Sequence, residues 1–413
     1  MAVTTVTKTI GSTGVFSTLQ LWEDGAPPDL TTSERSAATT FAVASYIQGE
    51  NINFSPSLAT GKFLDTDSTG PGTGTYITYG VVSGNPAASD TVTGASSGAT
   101  CVITSGTPDF TGVIWQGQCQ NQEFTAAGSH LTITGSTQSS AAYKELSTAS
   151  GASFRDHANK LTNALRYNAS NGCGIRSTGA IAIAITVSET NARLTNLQIA
   201  CEGSDSKCVD VNVSGATGPF DNLILEGTAT GTSALNGVIR PSSATVRNCV
   251  IVQRASAADH IVGTGTGTSS YYNCTIVAPD DLATAPTSIF LSGASGTVTV
   301  QNCGLFAGDS TKAIKAGSAT FNFTTCYSDI SGTAGVTQTT YSNEFQNVND
   351  STRDFRLKTG ANQINSGTTD ATNAPTDIVG TTRPQMGVYD VSAWELIPAT
   401  SLVSALMLVG VGP

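Results

Sequence analysis

Charge is what this sequence has least of. Lys and Arg number 19 and Asp and Glu 30 among 413 residues, 12% in all, giving a net charge of −11. No Lys/Arg-rich run occurs, and nucleic-acid binding needs clustered cations, so that class of partner is excluded. Histidine is scarce as well: His130, His157 and His260 are the whole supply. With no Cys-x-x-Cys pair, a zinc site is not expected, nor is any other metal or cofactor. The start, Met1-Ala-Val-Thr-Thr-Val-Thr-Lys8, has no charged segment followed by an apolar one, so no secretory signal is expected. No stretch reaches the roughly 18–20 apolar residues of a membrane span. The tail Leu396 to Pro413 comes closest, but Pro398, Thr400, Ser401 and Ser404 interrupt it.

What the sequence does have is glycine (43 residues), abundant Ser and Thr, and one phrase that returns six times. It reads Leu194-Thr-Asn196-Leu197-Gln-Ile199, Phe220-Asp-Asn222-Leu223-Ile-Leu225, Val246-Arg-Asn248-Cys249-Val-Ile251 and Tyr271-Tyr-Asn273-Cys274-Thr-Ile276. Val300-Gln-Asn302-Cys303-Gly-Leu305 follows, then a weaker Phe323-Thr-Thr325-Cys326. Successive copies are 26, 26, 25, 29 and 23 residues apart, measured between Asn positions and, last, Thr325. A period in the twenties with one apolar strand pattern per copy is the mark of a solenoid, here a parallel β-helix.

In such a stack the strands of neighbouring coils pair at roughly 4.7–4.9 Å, so equivalent residues form ladders. Three columns are expected to point inward. The first is Leu194, Phe220, Val246, Tyr271, Val300 and Phe323. The second is Leu197, Leu223, Cys249, Cys274, Cys303 and Cys326, and the third Ile199, Leu225, Ile251, Ile276 and Leu305. The Asn column falls where the strand bends: Asn tolerates a left-handed backbone, and stacked Asn side chains can bond to one another.

Nine cysteines is an odd number. Those of the inward column are expected as free thiols acting as small apolar residues, because side chains one coil apart are too widely spaced for a disulfide. Cys201 and Cys208 flank the polar loop 202–207 and either bridge or stay free. These features point to a chain made in a reducing cytoplasm.

Four divisions are expected. Residues 1–54 form an N-terminal cap with the first coils, Leu19 and Trp22 sharing one face of a short helix. Residues 55–112 read as an inserted antiparallel module of four or five strands, among them 75–79, 91–94 and 99–103. Tyr46 to Glu50 and Ile114 to Gln118 flank it as a faint echo. Residues 113–395 form the β-helix with its closing segment, and 396–413 an apolar tail.

The phrases Glu344-Phe-Gln-Asn-Val348, Asp354-Phe-Arg-Leu-Lys-Thr-Gly360, Ile364-Asn-Ser-Gly367 and Arg383-Pro-Gln385, with the run from Gly387 to Glu395, resemble the closing segment of pectin-lyase-like right-handed β-helix proteins. With the Asn-Cys-x-Ile coils, the likeness covers roughly 150–395. Thr9 to Gly11, Leu19 to Glu23, Trp115 to Cys119 and Leu165 to Asn168 look like parts of tailed-bacteriophage β-helix proteins. Thr93 to Thr100 is similar to small β modules of phage virion proteins. The fold implied is a right-handed parallel β-helix. The function implied is a non-enzymatic virion protein: a capsid decoration or cement, or a short head fibre. It would act as a homotrimer and bind the major capsid or another virion protein, with the tail as a means of attachment. The alternative is a receptor-binding tailspike that binds or depolymerises host surface glycan.

Depolymerisation would need paired carboxylates, or a base beside acidic groups, at equivalent positions of adjacent coils. Asp221 and Arg247 are equivalent and outward, but Tyr272 and Gln301 follow them. Asp210 and Glu226 lie on different strands, and Asp259-His260 and Asp280-Asp281 fall in turns between coils. No catalytic, cofactor-binding or metal-binding residue is assigned.

Overall fold

Each copy of the repeated phrase folds as one strand, one left-handed residue and a second strand. In the computed structural model the described residues are 3–397, apart from 43–44, 67–74, 105–109, 158–161, 205, 214, 216, 229–236, 256–259 and 293–294. The chain is all-β, and its main architecture is a parallel β-solenoid. It divides into two compact units. One comprises Met1–Gln120, Leu131–Ala149 and Val187–Arg193; the other comprises Asn121–His130, Ser150–Thr186 and Leu194–Pro413. The tail proposed to attach the protein lies outside the described residues beyond Ile397.

In the first unit, Thr4–Ile10 and Lys144–Thr148 lie parallel on either side of Val113–Cys119. The helix Leu19–Asp24 packs beside them, its first turn capped by the Thr18 hydroxyl accepting from Leu21 N at 3.2 Å. Leu19 and Trp22 are both buried, as the three-residue spacing predicts, and Trp115 Nε1 donates to Trp22 O at 3.0 Å. Glu23 leaves the helix to meet Lys144 Nζ at 2.5 Å, with Glu189 at 3.3 Å on its other side. That buried lysine is held by two carboxylates and the Thr134 carbonyl, a satisfied structural network.

The antiparallel module differs from expectation in extent and closure. Its strands run in the order Tyr76–Ser83, Thr60–Thr66, Asn51–Ser55, Thr91–Gly94, Thr100–Ile103 and Ser33–Ala42. The last pairs back with the first, closing a small barrel that also carries Phe110–Thr111. The module therefore begins at Ser33, not at 55. Strand 33–42 is rich in Ser, Thr and charge and gave little apolar signal, yet closure needs it, because closing a sheet removes its free edges. The core is Ile52, Phe54, Phe63, Ile77, Tyr79 and Val92 with neighbours. The echo does not hold: Val113–Cys119 is a solenoid strand, whereas Gln48 and Gly49 lie in an irregular, turning segment.

In the second unit three parallel sheets run along the stack. Sheet one contains Thr217–Asp221, Ala244–Arg247, Thr268–Tyr272, Thr297–Gln301 and Thr320–Thr324. Sheet two runs from Glu123–Ala126 through Gln198–Cys201, Ile224–Gly227, Val250–Gln253, Thr275–Val277, Gly304–Phe306 and Cys326–Ser328 to Val336–Gln338. Sheet three includes Lys207–Val211, His260–Thr264, Ser288–Ser292 and Ala313–Gly317.

The first and third columns pair residue for residue, Leu194 with Phe220 and on to Phe323, and Ile199 with Leu225 and on to Leu305. All three columns are fully buried except Phe323, half-buried at the far end of the array. All nine cysteines are free thiols, Cys201 and Cys208 included. The column thiols reach back to carbonyls two residues earlier, for instance Cys249 to Arg247 O at 3.1 Å and Cys303 to Gln301 O at 3.2 Å.

Between sheets one and two sits the asparagine column. Asn196, Asn222, Asn248, Asn273, Asn302 and Thr325 all have φ between 50° and 59°. Each Asn N–H donates to the next coil, as from Asn273 N to Gln301 O at 3.0 Å. The side-chain ladder is only partly continuous. Asn222 donates to Asn196 at 3.2 Å and Asn302 to Asn273 at 3.5 Å, while Asn248 donates instead to Thr376 O at 2.9 Å.

Thr376 belongs to the closing segment, and its route decides which face of the solenoid is free. Helix Tyr341–Glu344 leads into the hairpin Phe345–Asn347 and Asp354–Leu357, then an irregular run to Glu395. Phe345, Phe355, Leu357, Ile378 and Trp394 pack on Ile224, Val250, Val252, Val277 and Phe306, the outward residues of sheet two. The central strands of that sheet, from Gln198–Cys201 to Gly304–Phe306, are buried on both faces.

Candidate functional site

The charges that the sequence offers for chemistry mostly find partners. Arg247 grips Asp221 with two bonds of 2.6 and 2.5 Å, and Arg240 grips Asp210 with bonds of 2.5 and 2.6 Å. Glu226 is buried under the closing segment, bonded to Arg353 and to Tyr167 N. A carboxylate whose two oxygens are both engaged by donors in this way has none left to meet a substrate. His260 is not in a turn: it starts a strand of sheet three and is fully buried. Neither ring nitrogen has a hydrogen-bond partner among the described residues, and burial, with Lys207 adding, pushes its pKa down to about 4. Asp259 lies outside the described residues.

Asp280 and Asp281 do lie in a turn, and Asp280 lines a cavity. The turn follows strand Thr275–Val277, and the next coil places Asp309 in the same position after Gly304–Phe306. Asp329 comes immediately after Cys326–Ser328, and strand Val336–Gln338 runs into Thr339, Thr340 and helix Tyr341–Glu344. Together these bound a cavity of about 470 Å³ lined by Asp280, Asp309, Asp329, Gln338 and Tyr341 with hydroxyls of Ser and Thr.

Its carboxylates are not alike. Asp329 is 8% exposed, and its Oδ1 accepts from Ala307 N at 3.2 Å. Burial, with the charge of Asp280 adding, pushes its pKa up to about 6. Asp280 is raised by burial and then by Asp281. Asp309 is lowered, chiefly by the hydroxyl and N–H of Thr311, with Lys312 Nζ 3.7 Å away. Tyr341 is 4% exposed, its ring stacked on Phe306 at 4.6 Å and 12°. Its hydroxyl has no hydrogen-bond partner among the described residues, and burial, with Asp329 and Asp280 adding, pushes its pKa up.

A carboxyl group that changes charge near pH 6, beside a second carboxylate and a neutral phenol, can exchange protons or hold a polar ligand. From the sequence alone Asp280 is a turn residue between coils with no assigned role. The readable signal was the alignment of Ala278-Pro-Asp280 with Ala307-Gly-Asp309, acidic residues at one place on adjacent coils. Among the described residues, no group of three or more His, Cys, Asp and Glu side chains is arranged to hold a metal ion. No helix among them is long and apolar enough to cross a membrane.

No protein-family model matches the chain, and no curated protein matches it. Among solved structures, the crystal structure of pectate lyase Pel9A is similar to it, at 14% identity and a TM-score of 0.35. The match covers 69% of this chain and 88% of that one. At that score the likeness carries no statement about chemistry. The parallel β-solenoid rests on the strand pairing itself.

Proposed function

We propose that this chain is a structural protein of a bacteriophage particle, a decoration protein or short fibre that works as a rigid, non-enzymatic scaffold. The observation that supports the reading is the outer face of sheet one. Thr245, Ser270, Thr299 and Asn322 form one row in register, and Arg247, Tyr272, Gln301 and Thr324 form the next. Every one of them is part-exposed or exposed, in contrast to the covered outer face of sheet two. Short hydroxyl and amide side chains on a rigid ladder make a surface suited to side-by-side association, with hydrogen bonds and little charge to desolvate. A homotrimer joined through this face, and a contact with the capsid or another virion protein, belong to the same proposal.

A second reading, a tailspike that binds or cleaves host glycan, is favoured by the cavity around Asp329. Labelled antibody fragments on purified particles, viewed by electron microscopy, separate the two. Many copies over the head support the scaffold reading. A few copies at the tail tip support the spike, and no label on any particle overturns both.

A further inference from the structure

The cavity around Asp329 has a chemical character of its own. Three carboxylates line it, and among its lining residues there is no Lys or Arg. Lys312 stands beside Asp309, the outermost of the three, and neither Asp280 nor Asp329 has an ion-pair partner among the described residues. Tyr341 lines the same wall, more than nine-tenths buried, and its hydroxyl has no hydrogen-bond partner among the described residues. A buried polar group left so is destabilised, and an arriving hydroxyl or amine restores its hydrogen bond. Ser310, Thr339, Thr340 and Ser342 supply further hydroxyls. The volume lies within the roughly 300–1,000 Å³ of small-molecule sites.

From this arrangement we infer that the cavity binds a hydroxyl-rich organic cation: a saccharide unit carrying a protonated amine. The amine sits between Asp280 and Asp329, where it relieves the repulsion of two carboxylates in a partly dry site. The sugar hydroxyls bond Tyr341 and the rim. A chelated metal fits poorly, since hard cations take six or more oxygens and no cluster of three acidic side chains is arranged to hold one. A uronic acid is repelled by the same charge that draws the amine. The site is independent of where on a particle the protein sits.

The test is titration of the full chain, by calorimetry or ligand-observed NMR, with glucosamine, glucose, glucuronic acid and calcium chloride. Glucosamine is expected to bind about tenfold or more tighter than glucose, the factor that 1.4 kcal/mol of extra charge attraction gives. Glucuronic acid is expected not to bind. Lowering the pH from 7 to 5 weakens glucosamine binding, because Asp329 takes up a proton near pH 6 while the amine stays charged. The charged and titratable groups around Asp329 are Asp280, Asp281, Asp309, Lys312 and Tyr341, with Glu344 held off by Thr339 and Asn362. Asp329→Asn flattens that pH profile, and Tyr341→Phe, which keeps the stack on Phe306, weakens binding several-fold. If Asp329→Asn does not fold, the pH profile of the native chain and the Tyr341→Phe variant decide. Equal affinity for glucose and glucosamine, binding of glucuronic acid, preference for calcium, or no binding at tens of millimolar glucosamine would each overturn the inference.

Discussion

Sheets one and two of the second unit share one backbone plan and part ways only on their outer faces. Both are parallel ladders with fully buried inner columns in the central coils. Outside, sheet one presents Thr245, Ser270 and Thr299, while sheet two presents Ile224, Val250, Val252 and Val277. The apolar face could not remain in water, and the closing segment lies over it with Phe345, Phe355 and Trp394. Even the charged residue of that face, Glu226, meets its cation, Arg353, under the cover. The lesson concerns which face of a solenoid can be used. The outward pattern of each strand settles it coil by coil, and here it leaves sheet one free and commits sheet two to stability.

The comparison breaks most sharply if the cover is loosened. Trp394 is 4% exposed within the cluster over sheet two. Trp394→Ala is expected to cost about 3–5 kcal/mol in denaturant unfolding, the usual range for an aromatic lost from a core. Thr299→Ala, on the open face, should stay within about 0.5 kcal/mol. Equal losses at the two sites would mean that sheet one is covered too.

The border between the sheets gives an intermediate effect. Asn273 holds φ at 50°, is buried, and accepts from Asn302 while donating to Asp390 O at 3.4 Å. Asn273→Ala is expected to cost about 2 kcal/mol, from left-handed strain of roughly 1–2 kcal/mol together with lost hydrogen bonds. Asn273→Gly removes the strain and keeps only the hydrogen-bond loss. If the two variants unfold alike, the backbone bend is not what Asn273 supplies.

Much of this was readable from sequence because a repeat must solve the same burial problem in every coil. Leu197 and Cys249 share one column since each coil has one inward place there, and Asn recurs because the bend recurs. Non-repeating parts carried no such redundancy. Strand 33–42 closes the barrel although its own alternation is weakly apolar. The closing segment's phrases could be recognised, but nothing in them says that Trp394 lands on sheet two or that Tyr341 stacks on Phe306. The site was legible to the same degree. Asp280 and Asp309 repeat from coil to coil and could be aligned, whereas Asp329 and Tyr341 join them only where the array ends and the chain turns back.

An effect smaller than that at Asn273 is expected for the ion pair on the open face, and it sharpens the contrast from the electrostatic side. Asp221 and Arg247 are bonded in good bidentate geometry, yet their side chains remain 18% and 22% exposed. Water screens such a pair, and holding two side chains in place offsets part of the attraction. Arg247→Ala should therefore cost about 1 kcal/mol or less, and the loss should shrink in high salt, where exposed charges are screened over a few ångströms. A pair buried by an assembly partner would behave differently. Removing one member would strand a desolvated charge, and the cost would rise to about 3–5 kcal/mol with little salt dependence. Measuring Arg247→Ala at two protein concentrations and two salt concentrations thus reads out whether the face of sheet one is open in solution or joined to another copy.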